Sequence, residues 1–318
     1  MAAEKGSNRI CWPEGKTFAF TVFDDTDNDD IDKTRPVYEL LASCGLRTTK
    51  SCWVRRPGPQ ETGYCPGMTT EDPEYLQYIL GLQAQGFEIA LHNVSWASST
   101  RQQIAEGLDR FERQLSHRPR VFANHAGTAD SVYWGPRRFS GIRSFLYNLS
   151  TRFRNNNRFT GHVESSPHFW GDFCFDRVAY VRSFTFKQTN TLEVCPQTPY
   201  HDRSRPYVRN WFASCDGHNL PAFIEAISES RQDQLEAASG CCIMYTHFAS
   251  HFANGGTVDG EFERLIRRLS AKNGWFVPVG QLLDHIVQQR GQYEITPREL
   301  ARLEWRWLCQ KIITGITA

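Results

Sequence analysis

The chain has 318 residues, enough for one large domain or two ordinary ones and for a sizeable core. With 40% hydrophobic and 22% charged residues it is globular in composition, which excludes a disordered chain. A formal net charge of +1 provides no global field to draw it to nucleic acid or to a membrane surface. No stretch approaches the ~18 uninterrupted apolar residues of a spanning helix. The opening MAAEKGSNRICWPEGK lacks the apolar middle of a secretory signal, so the expected location is cytoplasmic. Ten scattered cysteines never form CxxC, which points to reduced, mostly buried thiols.

In chain order, the first strand is expected in TFAFTVF, apolar enough to be covered on both faces. It runs into the adjacent carboxylates Asp24 and Asp25, with Asp27, Asp29 and Asp30 close behind. KTRPVYELLASCG reads as a helix ended by Gly45, and RTTKSCWV as a second strand. A Pro/Gly-rich loop, RRPGPQETGYCPGM, leads to a helix in EDPEYLQYILGLQAQG. FEIALH is a third strand, and an amphipathic helix follows with Ser99 or Thr100 as its N-cap. RVFANH is a fourth strand. Residues 131–163 mix a short helix with loop, and WGDFCFDRVAYVR reads as helical. RSFTFKQTNTLEV and YVRNWFAS are later strands, NLPAFIEAISESRQDQLEAASG a helix and CCIMYTHF a strand. DGEFERLIRRLSAKNG (helix), WFVPV (strand), QLLDHIVQQRG (helix) and TPRELARLEWRWLCQ (terminal helix) complete the order.

Repeated strand-then-helix units imply a mostly parallel sheet with crossover helices. Polar residues gather after several different strands, which favours a closed barrel whose site is built from strand C-terminal ends. No glycine-rich phosphate fingerprint follows the first strand, which argues against a dinucleotide fold. Residues 1–318 are read as one barrel domain, with an excursion at about 126–215 and a helical extension at about 291–318.

Four strand ends carry the chemistry: FDD (Asp24, Asp25), ALHN (His92), ANHAG (His125) and MYTHF (His247). In a parallel barrel all four point into one mouth. A histidine beside a carboxylate there is a divalent-metal ligand pair, and a third ligand leaves positions for water and substrate. The second carboxylate is then placed to take a proton and His247 to give one to the leaving group. Each residue also has a plainer reading: the aspartates as caps of an acid-rich loop, each histidine as a hydrogen-bonded core residue.

These segments resemble the polysaccharide deacetylase (NodB-homology, carbohydrate esterase family 4-like) family. FTVFDD is similar to its TFDD motif, EIALHNVSW to its EIGxHTxSH segment, and CCIMYTHF to its late strand ending in a catalytic histidine. The order agrees over about residues 17–290. The resemblance implies a distorted (β/α)7 barrel and removal of an N-acetyl group from an amino sugar with zinc or a similar divalent ion. It assigns Asp24 as general base, Asp25 as metal-binding acid, His92 as first metal histidine and His247 as general acid.

One position departs from the family. The second metal histidine belongs four residues after His92, where this chain has Trp96, and an indole N–H only donates. ANHAG occupies the position of the family's RPPxG segment, so His125 is the expected third ligand, giving Asp25, His92 and His125.

Trp96, Asn124, Trp134 and His201 are the expected substrate contacts, with Trp170 and Trp211 as further rings for a pyranose face. Between Ser131 and Val163 there is no acid but Arg137, Arg138, Arg143, Arg152, Arg154 and Arg158 occur, an island suited to an anionic or phosphate-linked carbohydrate. Two other classes remain open: a catalytically silent barrel that binds a glycan or protein, and an amidohydrolase acting on a non-sugar amide.

Overall fold

The computed structural model describes residues 10–314; the expectations for residues 1–9 and 315–318 lie outside the described residues. Seven strands stand side by side in chain order: β1 (Phe18–Asp24), β2 (Thr49–Cys52), β3 (Glu88–Leu91), β4 (Val121–Phe122), β5 (Tyr180–Phe186), β6 (Trp211–Asp216) and β7 (Cys241–Thr246). Every pairing among them is parallel, and β1 closes the ring on β7 from Ala19↔Cys241 to Asp24↔Thr246. The barrel is distorted. β1 meets β2 only at Phe23↔Thr49 and Asp24↔Lys50, while the short strand Gly274–Trp275 pairs beside the start of β1.

Between the strands run α1 (Ile31–Ser43), α2 (Pro73–Ala84), α3 (Arg101–Leu115), α4 (Ile142–Ser150), α5 (Gly171–Arg177), α6 (Thr191–Val194), α7 (Leu220–Ala226) and α8 (Glu229–Ala237). α9 (Gly260–Ser270), α10 (Val279–Arg290) and α11 (Pro297–Thr314) follow β7. Among the described residues no helix is long and apolar enough to cross a membrane. The ten cysteines are free thiols, six of them buried.

Side-chain alternation along each strand divides the core in two. On β1, Phe18, Phe20 and Val22 pack outward into the helix layer, while Ala19 and Phe23 pack inward. The inward set continues with Ala90 on β3, Val121 and Ala123 at β4, Tyr180, Phe212 and the β7 pair Cys241 and Ile243. Leu282, Leu283 and Ile286 of α10 join this inner cluster. Small residues from β1, β3 and β4 leave room for Phe23 and Phe212, so the barrel is filled with side chains rather than open.

Four expected elements differ. The strand expected over RSFTFKQTNTLEV stops at Phe186, and Thr191–Val194 is the short helix α6. Residues 170–182 are not one helix: α5 ends at Arg177 and β5 begins at Tyr180. The run VAYVRSFTF is β-branched and aromatic, and pairing with both β4 and β6 decides its state. The helix expected over 219–240 is two, α7 and α8, separated at Ile227–Ser228. WFVPV contributes only Trp275 to a sheet pairing.

At the start of α3, Thr100 and Gln103 form a reciprocal capping box, the Thr100 hydroxyl accepting from Gln103 N–H and the Gln103 side chain from Thr100 N–H. Thr100→Ala should cost about 1 kcal/mol in urea unfolding; an unchanged midpoint would show that packing alone holds this end.

Candidate active site

The same alternation decides which groups reach the barrel mouth. On β1 the inward register of Ala19 and Phe23 continues to Asp25, and the outward register of Phe20 and Val22 continues to Asp24. Inward parity likewise extends from Ala90 to His92, from Ala123 to His125, from Tyr180 to Arg182, and from Ile243 to Tyr245 and His247. Asp25, Asp27, His92, Asn124, His125, Trp134, Arg182, His218, Tyr245 and His247 all border one pocket of about 370 Å3.

At its floor three groups face one another. His92 Nε2 lies 3.2 Å from Asp27 Oδ2, His125 Nδ1 lies 3.1 Å from Asp27 Oδ1, and the two ring nitrogens are 3.2 Å apart. The other nitrogen of each ring is committed: His92 Nδ1 donates to the Ala123 carbonyl at 3.0 Å, and His125 Nε2 to the Tyr64 carbonyl at 3.1 Å. The second nitrogen of each ring and the Asp27 carboxylate therefore face one point, where a neutral ring would offer a lone pair. One proton can bridge one of these contacts, not all three. A divalent ion satisfies all three. Ligand bonds of about 2.0–2.1 Å in a tetrahedral arrangement put donor atoms about 3.3 Å apart, so Asp27, His92 and His125 fit such an ion.

Beside this cluster, Asp25 accepts both arms of the Arg182 guanidinium, at 2.7 Å and 2.5 Å. Arg182 is itself stacked over the Tyr245 ring, 4.1 Å away. Such a fork fixes the carboxylate plane. On the opposite side His247 donates from Nδ1 to the His218 carbonyl at 2.8 Å and turns Nε2 to Asp27 Oδ2 at 3.2 Å. Burial opposes a charged His247 ring, but the Asp27 carboxylate outweighs it and raises the group from 6.5 to about 9. Burial likewise works to raise Asp27, and the imidazoles around it hold its carboxyl well below the usual range instead. His218 donates to Asp216 Oδ1 at 2.9 Å, while Lys311 of α11 reaches Asp216 Oδ2 at 3.1 Å.

No family model and no curated protein sequence matches this chain. Solved structures do. A protein described as a polysaccharide deacetylase from Mycobacterium smegmatis superposes with a TM-score of 0.51 at 12% identity, over 92% of this chain and 98% of that one. A PuuE allantoinase superposes with a TM-score of 0.52 at 10% identity, over 90% of this chain and 96% of that one. This chain has the polysaccharide deacetylase fold. At such identities the likeness is one of fold.

Within this polysaccharide deacetylase-type barrel, several expected site residues lie elsewhere than expected, although Asp25 also forms a candidate metal-ligand group with Asp27 and His247. Asp24, expected as the general base, does not border the pocket. It is buried among β2 and the helices, accepting Tyr38 Oη at 2.9 Å, Lys50 Nζ at 3.3 Å and the Phe248 N–H at 2.8 Å. Asp25, expected as the metal acid, gives both its oxygens to Arg182, with Oδ2 3.9 Å from His92; the carboxylate touching both histidines is Asp27. Trp96 does not border the pocket. It packs on Trp53, ring centroids 5.2 Å apart, and its carbonyl accepts the Tyr64 N–H. A Cβ on Gly63 would lie 2.4 Å from the Trp96 ring, so only glycine lets this loop lie so close.

Of the expected substrate contacts, Trp134 forms pocket wall. Asn124 borders the pocket too, but its amide is spent on the Val132 backbone, at 2.7 Å and 3.1 Å. His201 lies elsewhere, its ring bonded to the Arg209 carbonyl. Trp170 and Trp211 are buried and do not border the pocket. Arg182, Tyr64 and Asp27 were given no role from the sequence. Counting strand parity from Phe18 separates Asp24 from Asp25, and the long Pro/Gly loop before α2 signals a lid-like segment for Tyr64.

Lys50 holds this arrangement from behind. Fully buried, it pairs with Asp29 at 2.6 Å and Asp24 at 3.3 Å. Asp24 in turn anchors the Phe248 N–H beside His247, and Asp29 accepts Thr26 Oγ1 between Asp25 and Asp27. Lys50→Met leaves two buried carboxylates without their cation and should cost about 3–5 kcal/mol at neutral pH. The variant's acids then have raised pKa values, so the deficit should shrink as pH falls and they protonate. A deficit independent of pH in denaturant titrations would contradict this charge balance.

Proposed function

We propose that the protein is a metal-dependent hydrolase that removes an N-acetyl group from an amino sugar. The observation that carries it is the convergence of Asp27, His92 and His125 on one point, with the remaining ring nitrogens already tied to carbonyls. These three residues would hold a divalent ion such as zinc, which supplies charge to polarise an acyl carbonyl and its attacking water.

The other residues divide the proton work. Asp25, oriented by Arg182, takes the proton of the attacking water. His247, whose Nδ1–H is fixed on the His218 carbonyl, presents Nε2 to the pocket and gives a proton to the departing amine. Trp134 and Tyr64, on different parts of the wall, suit the faces of a sugar ring, and Arg182 lies too deep and too fully paired to select an anionic substrate. None of the island's arginines borders this pocket, and Arg143 and Arg158 are bonded to Glu304 and the Gly127 carbonyl. A neutral amino-sugar ring is therefore favoured over a phosphate-linked one. Hydrolysis of a non-sugar amide is the second reading, favoured by the fold shared with an allantoinase.

Asp25→Asn should lower turnover of N-acetylated sugar oligomers by about 10²–10⁴. A drop of that size with Asp24→Asn but not with Asp25→Asn would return the base to Asp24. No turnover of acetylated sugars, alongside turnover of ring or linear amides, would establish the second reading.

A readout independent of turnover is the titration of His247. In chelated protein it should titrate near 9. Its interaction with Asp27 then contributes stability that is complete below 6.5 and lost as pH rises through about 9. Saturating zinc, by neutralising Asp27, should lower the His247 pKa by about one unit or more in NMR titrations. An unmoved value would place the ion elsewhere.

A further inference from the structure

Five cationic side chains are buried: Lys50, Arg138, Arg182, Arg205 and Lys311. Four have carboxylate partners, Asp24 and Asp29 for Lys50, Asp25 for Arg182, Asp202 and Glu304 for Arg205, and Asp216 for Lys311. Arg138 has none among the described residues, although it is only 5% exposed. Its guanidinium instead lies over two indoles, 4.1 Å from the Trp134 centroid and 4.7 Å from that of Trp307. Cation–π contact compensates the faces of the group. It does nothing for the N–H donors in the plane.

Those donors are where the imbalance shows. Arg138 Nε and Nη2 have no acceptor, and neither has the indole Nε1 of buried Trp211. Arg138 and Trp211 border the same small pocket, walled by buried side chains. The only carboxylate in its wall is Asp202, already engaged by Ser204 N–H and Oγ through Oδ1 and by Arg205 through Oδ2. With Arg138 and Arg205 positive and Asp202 negative, the wall carries a net charge of +1. Glu304 does not alter this balance, because Arg143 answers it.

We infer that this pocket is a site for one small monovalent anion of the chloride type, held by Arg138 Nε and Nη2 and by the Trp211 indole N–H. A water there would supply an acceptor but leave the buried charge uncompensated, which is the larger cost. Burial, and to a lesser degree the Arg182 charge, work to lower the Arg138 pKa against the Tyr147 hydroxyl, which works to raise it. The site also touches function. Trp134, on which the guanidinium rests, is a wall of the active pocket, so an anion that fixes Arg138 also fixes that wall.

The test is crystallisation with bromide replacing chloride, paired with thermal unfolding in chloride against gluconate at equal ionic strength. The expected results are an anomalous peak within bonding reach of Arg138 and Trp211, and a saturable, chloride-specific rise in Tm. Trp211→Phe, which keeps an aromatic side chain but removes the N–H donor, should shift the chloride midpoint upward by about tenfold, the loss of one hydrogen bond to a charged group. A solvent peak with no anomalous signal would overturn the proposal. So would a peak only at molar bromide without chloride-specific stabilisation, which marks an adventitious ion only. A chloride midpoint unchanged in Trp211→Phe would overturn it as well.

Discussion

In a closed ring of parallel strands, each side chain faces either the helices or the axis, and one residue of register exchanges the two. Everything in the pocket follows from that alternation. The strand interiors place Ala19, Ala90 and Ala123 inside, where larger groups would not fit beside Phe23 and Phe212. Two residues further on, at the mouth, the same registers present His92 and His125, while β1 presents Asp25 two residues after Phe23. Packing at the waist of the barrel and chemistry at its rim are thus consequences of one periodicity. Closure of β1 on β7 brings His247 across to the same point.

A converging set of acceptors is costly to hold, and the surrounding bonds show how it is held. Each imidazole is fixed by a carbonyl behind it, Asp25 by the fork of Arg182, and the loop from Asp24 to Asp29 by the buried Lys50 network. Tyr64 and Trp96 add a further constraint. The backbone of the loop before α2 is bonded to the Trp96 carbonyl on one side and to His125 on the other. A tryptophan at the place of a ligand histidine therefore supports the segment that orients the histidine from the next strand.

Much of this was legible beforehand. The strand-then-helix order and three motifs in sequence pointed to the deacetylase-type barrel, and histidines directly after several apolar strands stood out together, although each alone also reads as a hydrogen-bonded core residue. The carboxylates were harder. Asp24 and Asp25 are chemically identical neighbours, and only counting parity from the strand core shows that one faces Lys50 and the other the pocket. Asp27 was hidden in an acid-rich turn whose shape depends on Asp29 meeting a lysine from another strand. Arg182 was hidden where the expected helix met the expected strand RSFTF, and pairing on both sides extends that strand back to Tyr180. Where local pattern and long-range pairing disagree, pairing decided the outcome.

The division of labour between Asp25 and Asp27 is the center of this account, and metal content tests it most directly. Protein purified without chelator, analysed by elemental mass spectrometry, should hold about one equivalent of a divalent ion, as should its Asp25→Asn variant. Asp27→Asn and His125→Ala should each lose it. Full metal retained in Asp27→Asn, or metal lost with Asp25→Asn alone, would contradict the assignment.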